Sequence, residues 1–247
     1  MIGYIITGTT RGLGNALVSK VLEHGDWVFT LNREPDFFSD RHINLFCDLS
    51  HAEEIHNRLE YLFTHLPIDD LSALVLINNA GGLLPVKPIH LAESFQISYN
   101  IEVNLIAPAI LIAKFIKLTQ NLRFKRRIIN ISSGASQNAY AGWGPYCSSK
   151  AGLNMLTKCV ALEQGNGFNA VKISSFAPGV IDTDMQTQIR NSSCEDFPMR
   201  ERFLLLKQKQ LLMSPDLVAE TLLSFDRNDA LVQGGFHDIR DMLVTKT

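Results

Sequence analysis

Apolar residues in this chain fall in short runs broken by turn residues, and each run is followed by a helical pattern. Residues 3–7 form a β-rich run that stops at Gly8. Leu13, Ala16, Leu17, Val21 and Leu22 then recur at helical spacing, and Gly25 ends the pattern. Residues 27–31 and 43–46 predict the second and third strands. Ser50 and Glu53 predict a capping box that opens a helix through Ile55, Leu59, Leu62 and Phe63. A fourth strand is expected over 73–77, a long helix over roughly 93–118, a fifth strand over 127–131, a helix over 148–164 and a sixth strand over 171–176. Residues 182–210 break the rhythm with a polar, irregular stretch that leads into a Leu-rich helix. A helix over 215–223 and an apolar stretch near Phe236 follow, and the chain then runs into a short polar tail.

Strands that are apolar throughout are buried on both faces, which requires a parallel sheet covered by helices on both sides. Crossovers of this kind are right-handed, and ligands bind beyond the carboxyl ends of the strands. The expected fold is therefore α/β, a doubly wound parallel sheet. No linker, repeat or low-complexity tract divides residues 1–247, so one domain is expected.

The chemistry-bearing residues sit at those strand ends. Thr7-Gly8-Thr9-Thr10-Arg11-Gly12-Leu13-Gly14 joins the first strand to the first helix. Its glycines allow backbone to approach a pyrophosphate at a helix N-terminus, where free N–H groups and the dipole favour negative charge. An ordinary glycine-rich turn explains the same residues less well, because the loop lies at the first strand–helix junction. The second strand ends in Asn32-Arg33 with no acid to hold a ribose 2′-hydroxyl. Arg33 can pair with a 2′-phosphate, and Arg11 can approach it from the other side. Those two arginines favour NADP(H), against the alternative of two solvated surface side chains and of Glu34 competing for Arg33. Asp48 and Leu49 follow the third strand, where a carboxylate can accept from an adenine amino group or simply start a helix. Asn79-Ala80-Gly81 ends the fourth strand with residues small enough for a ribose to lie against backbone.

Tyr146 and Lys150 lie at i and i+4, on one helix face. A phenol is a poor acid–base group at neutral pH, and a nearby ammonium is expected to lower its pKa. Tyr146 then serves as general acid to a carbonyl oxygen that receives hydride, and Ser133 can steady the charge on that oxygen.

Taken in order, Thr7-Gly8-xxx-Gly12-x-Gly14, Asn78-Asn79-Ala80-Gly81, Ser133, Tyr146-xxx-Lys150 and Pro178-Gly179 resemble the short-chain dehydrogenases/reductases over essentially the whole chain. The resemblance implies a single Rossmann-type domain with a doubly wound seven-stranded parallel sheet, a homodimer or homotetramer, and Lys150 on the nicotinamide ribose. It implies a fourth catalytic residue, Asn104, which holds a water that relays protons to Lys150. It also implies that Pro178, Gly179, Val180 and Thr183 hold the nicotinamide carboxamide. The stretches 130–135, 142–152 and 178–186 resemble the bacterial benzil reductases that form (S)-benzoin, a sepiapterin-reductase-like branch. That resemblance implies NADPH-dependent reduction of one carbonyl of an aromatic 1,2-diketone. The alternatives are a sepiapterin or pteridine reductase and a non-catalytic NADP(H)-sensing module. Residues 183–212 are expected to cover the substrate. Met185, Ile189, Phe197, Met199, Phe203 and Leu204, with Trp143 and Leu83, either wall an apolar pocket or form helix–helix core or subunit contact.

Composition narrows the classes further. The chain has 247 residues, 46% hydrophobic and 19% charged, which excludes a wholly disordered protein. Lys plus Arg is 23 and Asp plus Glu is 25, for a net charge of -2, so neither nucleic acid nor a membrane surface is an expected partner. The longest apolar run, 105–113, is too short to span a bilayer. The N-terminus has no positive region of a signal peptide. Cys47, Cys147, Cys159 and Cys194 form no CxxC pair and fit a reducing cytoplasm, although four cysteines leave two disulfides open. Cys147, beside Tyr146, is expected to be a packing residue. The 7 His show no metal-ligand spacing, and no metal is expected.

Overall fold

The computed structural model describes residues 1–34 and 39–244. The apolar runs become β1 (Ile2–Thr7), β2 (Trp27–Asn32), β3 (His42–Phe46), β4 (Ala73–Asn78), β5 (Lys125–Ile131), β6 (Lys172–Ala177) and β7 (Phe236–Asp238). All pair in parallel, in the order β3-β2-β1-β4-β5-β6-β7. The chain starts in the middle, winds outward to β3, then crosses β1 to build the other half. That reversal between β1 and β4 is the switch point at which such sheets bind ligands.

Successive side chains in a strand point to opposite faces, so alternate residues feed two cores. Tyr4, Ile6, Val75, Ile77 and Ile129 pack under α1 (Gly12–Glu23), α8 (Pro215–Arg227) and α9 (Ile239–Val244). Ile5, Leu74, Leu76, Ile128 and Ile173 pack under α2 (Ala52–Phe63), α4 (Ala107–Thr119) and α5 (Gly144–Gln164). Most of these side chains are wholly excluded from solvent, each contributing about 1.5–3 kcal/mol. Within the second face, Asn78, Asn130 and Ser175 form one cross-strand row. Asn78 donates to Asn130 at 2.7 Å, Asn130 donates to Thr157 of α5 at 2.8 Å, and Ser175 donates to the same hydroxyl at 3.0 Å. This polar row fixes the roll of α5 on the sheet.

Several local expectations are corrected. Ser50 and Glu53 make no capping box. His51 is the N-cap of α2 and makes no side-chain cap, Ser50 donates its hydroxyl to Asp48 at 2.8 Å, and Glu54 accepts from the Asp48 backbone N–H at 2.9 Å. The turn before the helix captures Ser50 first. The long helix is continuous but not regular. It comprises α3 (Ser94–Ile101), a π-helical turn (Glu102–Ile106) and α4. The helix expected from 148 starts at Gly144, with Pro145 in its first turn. The polar part of residues 182–210 holds a helix of its own, α6 (Asp184–Asn191), ahead of α7 (Arg200–Gln208). Of the expected polar tail, residues 239–244 form α9, and residues 245–247 lie outside the described residues. No helix among the described residues is long and apolar enough to cross a membrane. The four cysteines are free thiols.

Candidate active site

The loop from β1 to α1 is closed by contacts that leave its backbone at the switch point. Asn32, at the end of β2, accepts from the Thr9 N–H at 2.8 Å and donates to the Thr9 hydroxyl at 2.6 Å. Asn79, after β4, donates to the carbonyls of Thr7 (3.0 Å) and Gly8 (2.8 Å), and the Thr7 hydroxyl accepts from the backbone of Asn79 and Ala80. A Cβ on Gly14 would lie 2.1 Å from the Gly8 carbonyl oxygen and 2.6 Å from the Asn79 amide nitrogen, so only glycine fits there. No side chain caps α1, whose N-cap is Arg11. Its N-terminal N–H groups and dipole therefore form an anion cradle.

The flanking residues expected at the cofactor divide into two groups. Thr10, Arg11 and Arg33 are exposed at the rim, whereas Leu13 and Leu49 bury their side chains in the two cores. Arg11 pairs with Asp184 of α6 at 3.2 Å, and Arg33 donates to the Tyr99 hydroxyl of α3 at 3.1 Å. Both guanidiniums thus stand at the mouth of the cradle with solvent-exposed partners that an anion can replace. Asp48 accepts from the Ser50 N–H and hydroxyl. Burial opposes its charge, but those two bonds and the nearby Arg33 outweigh it and hold its carboxyl below the usual range. Pro178, Gly179, Val180 and Thr183 follow β6, where backbone bonds between Val180, Asp182 and Met213 tie the segment down. Thr183 sits beside the glycine loop, its methyl 3.1 Å from where a Gly12 Cβ would lie.

Across the crevice, α5 presents Tyr146 and Lys150, which are 7% and 4% exposed. The Lys150 ammonium donates to the Ile131 carbonyl at 2.8 Å and lies 5.9 Å from the centre of the Tyr146 ring. Ser133 comes within interaction range of the Tyr146 hydroxyl, although thirteen positions separate them in the chain. Asn104 sits in the π-helical turn, fully buried. It accepts from the Gly82 N–H at 3.1 Å and donates to the Gly82 carbonyl at 2.8 Å. A Cβ on Gly81 would be 2.7 Å from the Asn104 oxygen and 3.4 Å from Lys150 Nζ, so Gly81 lets these two polar groups converge. The structure brings the four expected catalytic residues to one place.

The expected effect of Lys150 on Tyr146 is not seen. Burial pushes the Tyr146 hydroxyl above the ordinary phenol value, Ser133 offsets part of that, and Lys150 contributes nothing resolved. Burial also lowers Lys150 to about 8, so its charge is lost before the phenol would ionise, and its ammonium faces the strand-end carbonyl.

Trp143 stacks on Phe197 with ring centres 4.6 Å apart, tilts against Phe203 at 5.5 Å, and meets Tyr146 edge-on at 5.9 Å. Leu83, Ile189 and Met185 join this cluster. Met199 and Leu204 do not belong to it. Cys147 packs against its edge as a spacer, in line with its expected role. A cleft of about 410 Å³ opens beside it, lined by Leu84, Val86, Lys87, Gln96, Gln188 and Asn191 among others, and contains none of the four residues expected to be catalytic. Asn100 escaped the sequence reading. It is 1% exposed, donates to the carbonyls of Gly82 (3.1 Å) and Leu84 (2.8 Å), and accepts from Ser149 at 3.2 Å. Two asparagines at i and i+4, on one helix face, were the signal.

Comparison with known families matches residues 4–193 to the model of the short chain dehydrogenases. The chain belongs to that family. A benzil reductase ((S)-benzoin forming) of Bacillus cereus is 40% identical over 238 residues, spanning 93% of this chain and 96% of that protein. A sepiapterin reductase of Bos taurus is 31% identical over 176 residues, 70% of this chain and 64% of that protein. The solved structure of a 4-hydroxyisoleucine dehydrogenase complexed with NADH superposes with a TM-score of 0.74 at 27% identity, covering 96% of each chain. The protein is an oxidoreductase of carbonyl and hydroxyl groups that works with a nicotinamide cofactor, and its relatives make it a carbonyl reductase.

Proposed function

We propose that this chain is an NADPH-dependent reductase of aromatic 1,2-diketones, with Tyr146 as general acid. The observation that carries the reading is the approach of Ser133 to Tyr146 at the edge of the Trp143–Phe197–Phe203 cluster. A hydroxyl pair of this kind can grip one carbonyl oxygen, and the rings suit an aryl substituent. Met185 and the rest of residues 183–212 cover that side.

The cradle at Gly14 and the uncapped start of α1 suit a pyrophosphate. Gly8, Thr10, Gly12, Leu13 and Gly14 would hold it, while Asp48, Leu49, Asn79, Ala80 and Gly81 would flank the adenosine. Asn32 shapes the loop, and Arg11 and Arg33 would take a 2′-phosphate. Pro178, Gly179, Val180 and Thr183 would hold the nicotinamide end, with Lys150 on its ribose. When bound, the cofactor supplies hydride to the carbonyl carbon. Tyr146, kept protonated by its burial, delivers its proton to the carbonyl oxygen. Ser133 stabilises the charge that builds on that oxygen. Asn104, converging with Lys150 on Gly81, is placed to hold a water that returns a proton to Tyr146 through Lys150.

Oxidation of NADPH in the presence of benzil is the direct test, run beside sepiapterin. Faster turnover of benzil, with benzoin as product, is expected. Faster turnover of sepiapterin would favour the pteridine reading, which the bovine relative supports. For the cofactor, Arg33→Ala should raise the KM for NADPH about 10–100-fold, the worth of one or two charge-assisted hydrogen bonds. The KM for NADH should change little, and an unchanged NADPH/NADH ratio would remove the 2′-phosphate assignment.

We also propose a homodimer or homotetramer in the cytoplasm. Support comes from Phe95, Ile106 and Met155, exposed on α3, the π-helical turn and α5, and from the four free thiols.

A further inference from the structure

The face of α5 that carries Tyr146 and Lys150 continues one more step, to Asn154, which is 6% exposed. Its side-chain oxygen accepts from the Ser132 hydroxyl at 2.7 Å, and its NH2 group donates to the Ser136 hydroxyl at 2.7 Å. Ser136 in turn donates its only hydroxyl proton to the Ser133 carbonyl at 2.6 Å. Asn154 thus brackets Ser133 from both sides through a closed ring of hydrogen bonds. The same helix face holds the end of β5 and the turn after it: Lys150 on residue 131 and Asn154 on residues 132 and 136, with Tyr146 close to Ser133. The backbone carries this ring only in part. The Ser136 N–H donates to the Ser133 carbonyl at 3.0 Å, and the Ala135 N–H donates to the Ser133 hydroxyl at 3.1 Å. Neither bond ties the turn to α5.

The ring requires one donor and one acceptor from a single planar group. The one proton of Ser136 Oγ is already given to the Ser133 carbonyl, so it needs a donor opposite it. An amide supplies both functions, whereas Ser and Thr are too short and an ionised carboxylate has no donor.

We propose that Asn154 is a positioning residue for the reduction. It sets the turn that aims the Ser133 hydroxyl at the oxygen handled by Tyr146, and touches neither substrate nor cofactor itself. The proposal rests on the reading of Ser133 and Tyr146 given above. Misplacing a reacting group by about 1 Å costs on the order of 100-fold in rate.

The test is a double-mutant cycle on purified protein, with benzil and NADPH as probes. Asn154→Ala is expected to lower kcat about 10–100-fold with the KM for NADPH unchanged. In a Ser133→Ala background it should cause little further loss, because the two act through one group. A purely structural Asn154 would instead give losses that multiply, and that outcome overturns the proposal, as does an unchanged kcat. If Asn154→Ala fails to fold, Ser136→Ala enters the same cycle under the same criteria, since it keeps the Ser132 bond and removes only the link to the Ser133 carbonyl. Full activity of Ser133→Ala would be a different failure, that of the catalytic reading itself. Multiplying losses would leave that reading intact and sink only the role of Asn154.

Discussion

Tyr146→Phe is expected to lower kcat for carbonyl reduction about 100–10,000-fold, the range for removing a positioned general acid. The ring survives, so the edge-on contact with Trp143 at 5.9 Å and the packing of the aromatic cluster are retained. Only the proton donor is lost, and the KM for NADPH should stay within a few-fold of the wild type. Thermal unfolding of the variant, which loses one hydroxyl, should be close to that of the wild type. Full activity would sink the mechanism. The pH behaviour separates Tyr146 from Lys150. Burial raises the Tyr146 pKa, so the phenol keeps its proton through neutral pH and loses it only above the ordinary phenol range. Burial lowers Lys150 to about 8, so its positive charge is present below that pH and is lost as pH rises through it. The kcat/KM for NADPH reports groups of the free enzyme and should therefore decline above about pH 8. The phenylalanine variant should keep that limb at its much lower rate, because the limb belongs to the lysine.

The second large effect is on stability. Asp226, at the end of α8, is fully buried. It accepts two hydrogen bonds from Arg127 of β5, at 2.6 and 2.9 Å, and one from the Tyr4 hydroxyl of β1 at 3.0 Å. Tyr4 and Arg127 lie in one cross-strand row with Val75 between them, so a single carboxylate ties α8 to both sides of the switch point. Beside it, Arg227 pairs with Asp26, which also accepts from the Ile2 N–H at 2.9 Å. Asp226→Ala leaves a guanidinium and a phenol buried without their acceptor. Breaking a buried pair in this way costs about 3–5 kcal/mol. At about 2–4 °C per kcal/mol for a domain of this size, Tm should fall by roughly 6–20 °C in a calorimetric scan. Replacing both partners, Asp226→Leu with Arg127→Met, should recover much of the loss, because no charge is then stranded. A double variant less stable than Asp226→Ala would show that packing, not the ion pair, holds this corner.

The parts of the site legible in the chain were those whose geometry is local. Tyr146 and Lys150 share a face because a helix repeats every 3.6 residues, and both are found there. The loop from Gly8 to Gly14 could be placed because a strand ending in glycine and a helix starting on glycine leave one arrangement for the turn. The errors were also local in origin. Ser50 and Glu53 have capping-box spacing, but Asp48 competes for the same hydroxyl and wins. The helix α6 is so polar that its pattern resembled loop, and it forms with Ile189 packed into the aromatic cluster.

The sequence by itself determined a parallel α/β sheet, a crevice at its strand ends and the residue types gathered there, because burial on two faces and helical spacing are properties of the chain pattern. Tertiary structure decided what those residues are to one another. The approach of Ser133 to Tyr146, that of Asn104 and Lys150 around Gly81, and the bracket of Asn154 around Ser133 join residues up to dozens of positions apart. It also reversed the expected pKa of Tyr146. Spacing in the chain places an ammonium near a phenol, but only packing sets how much water remains around each and which way the charge faces, and at this site desolvation outweighs the pair.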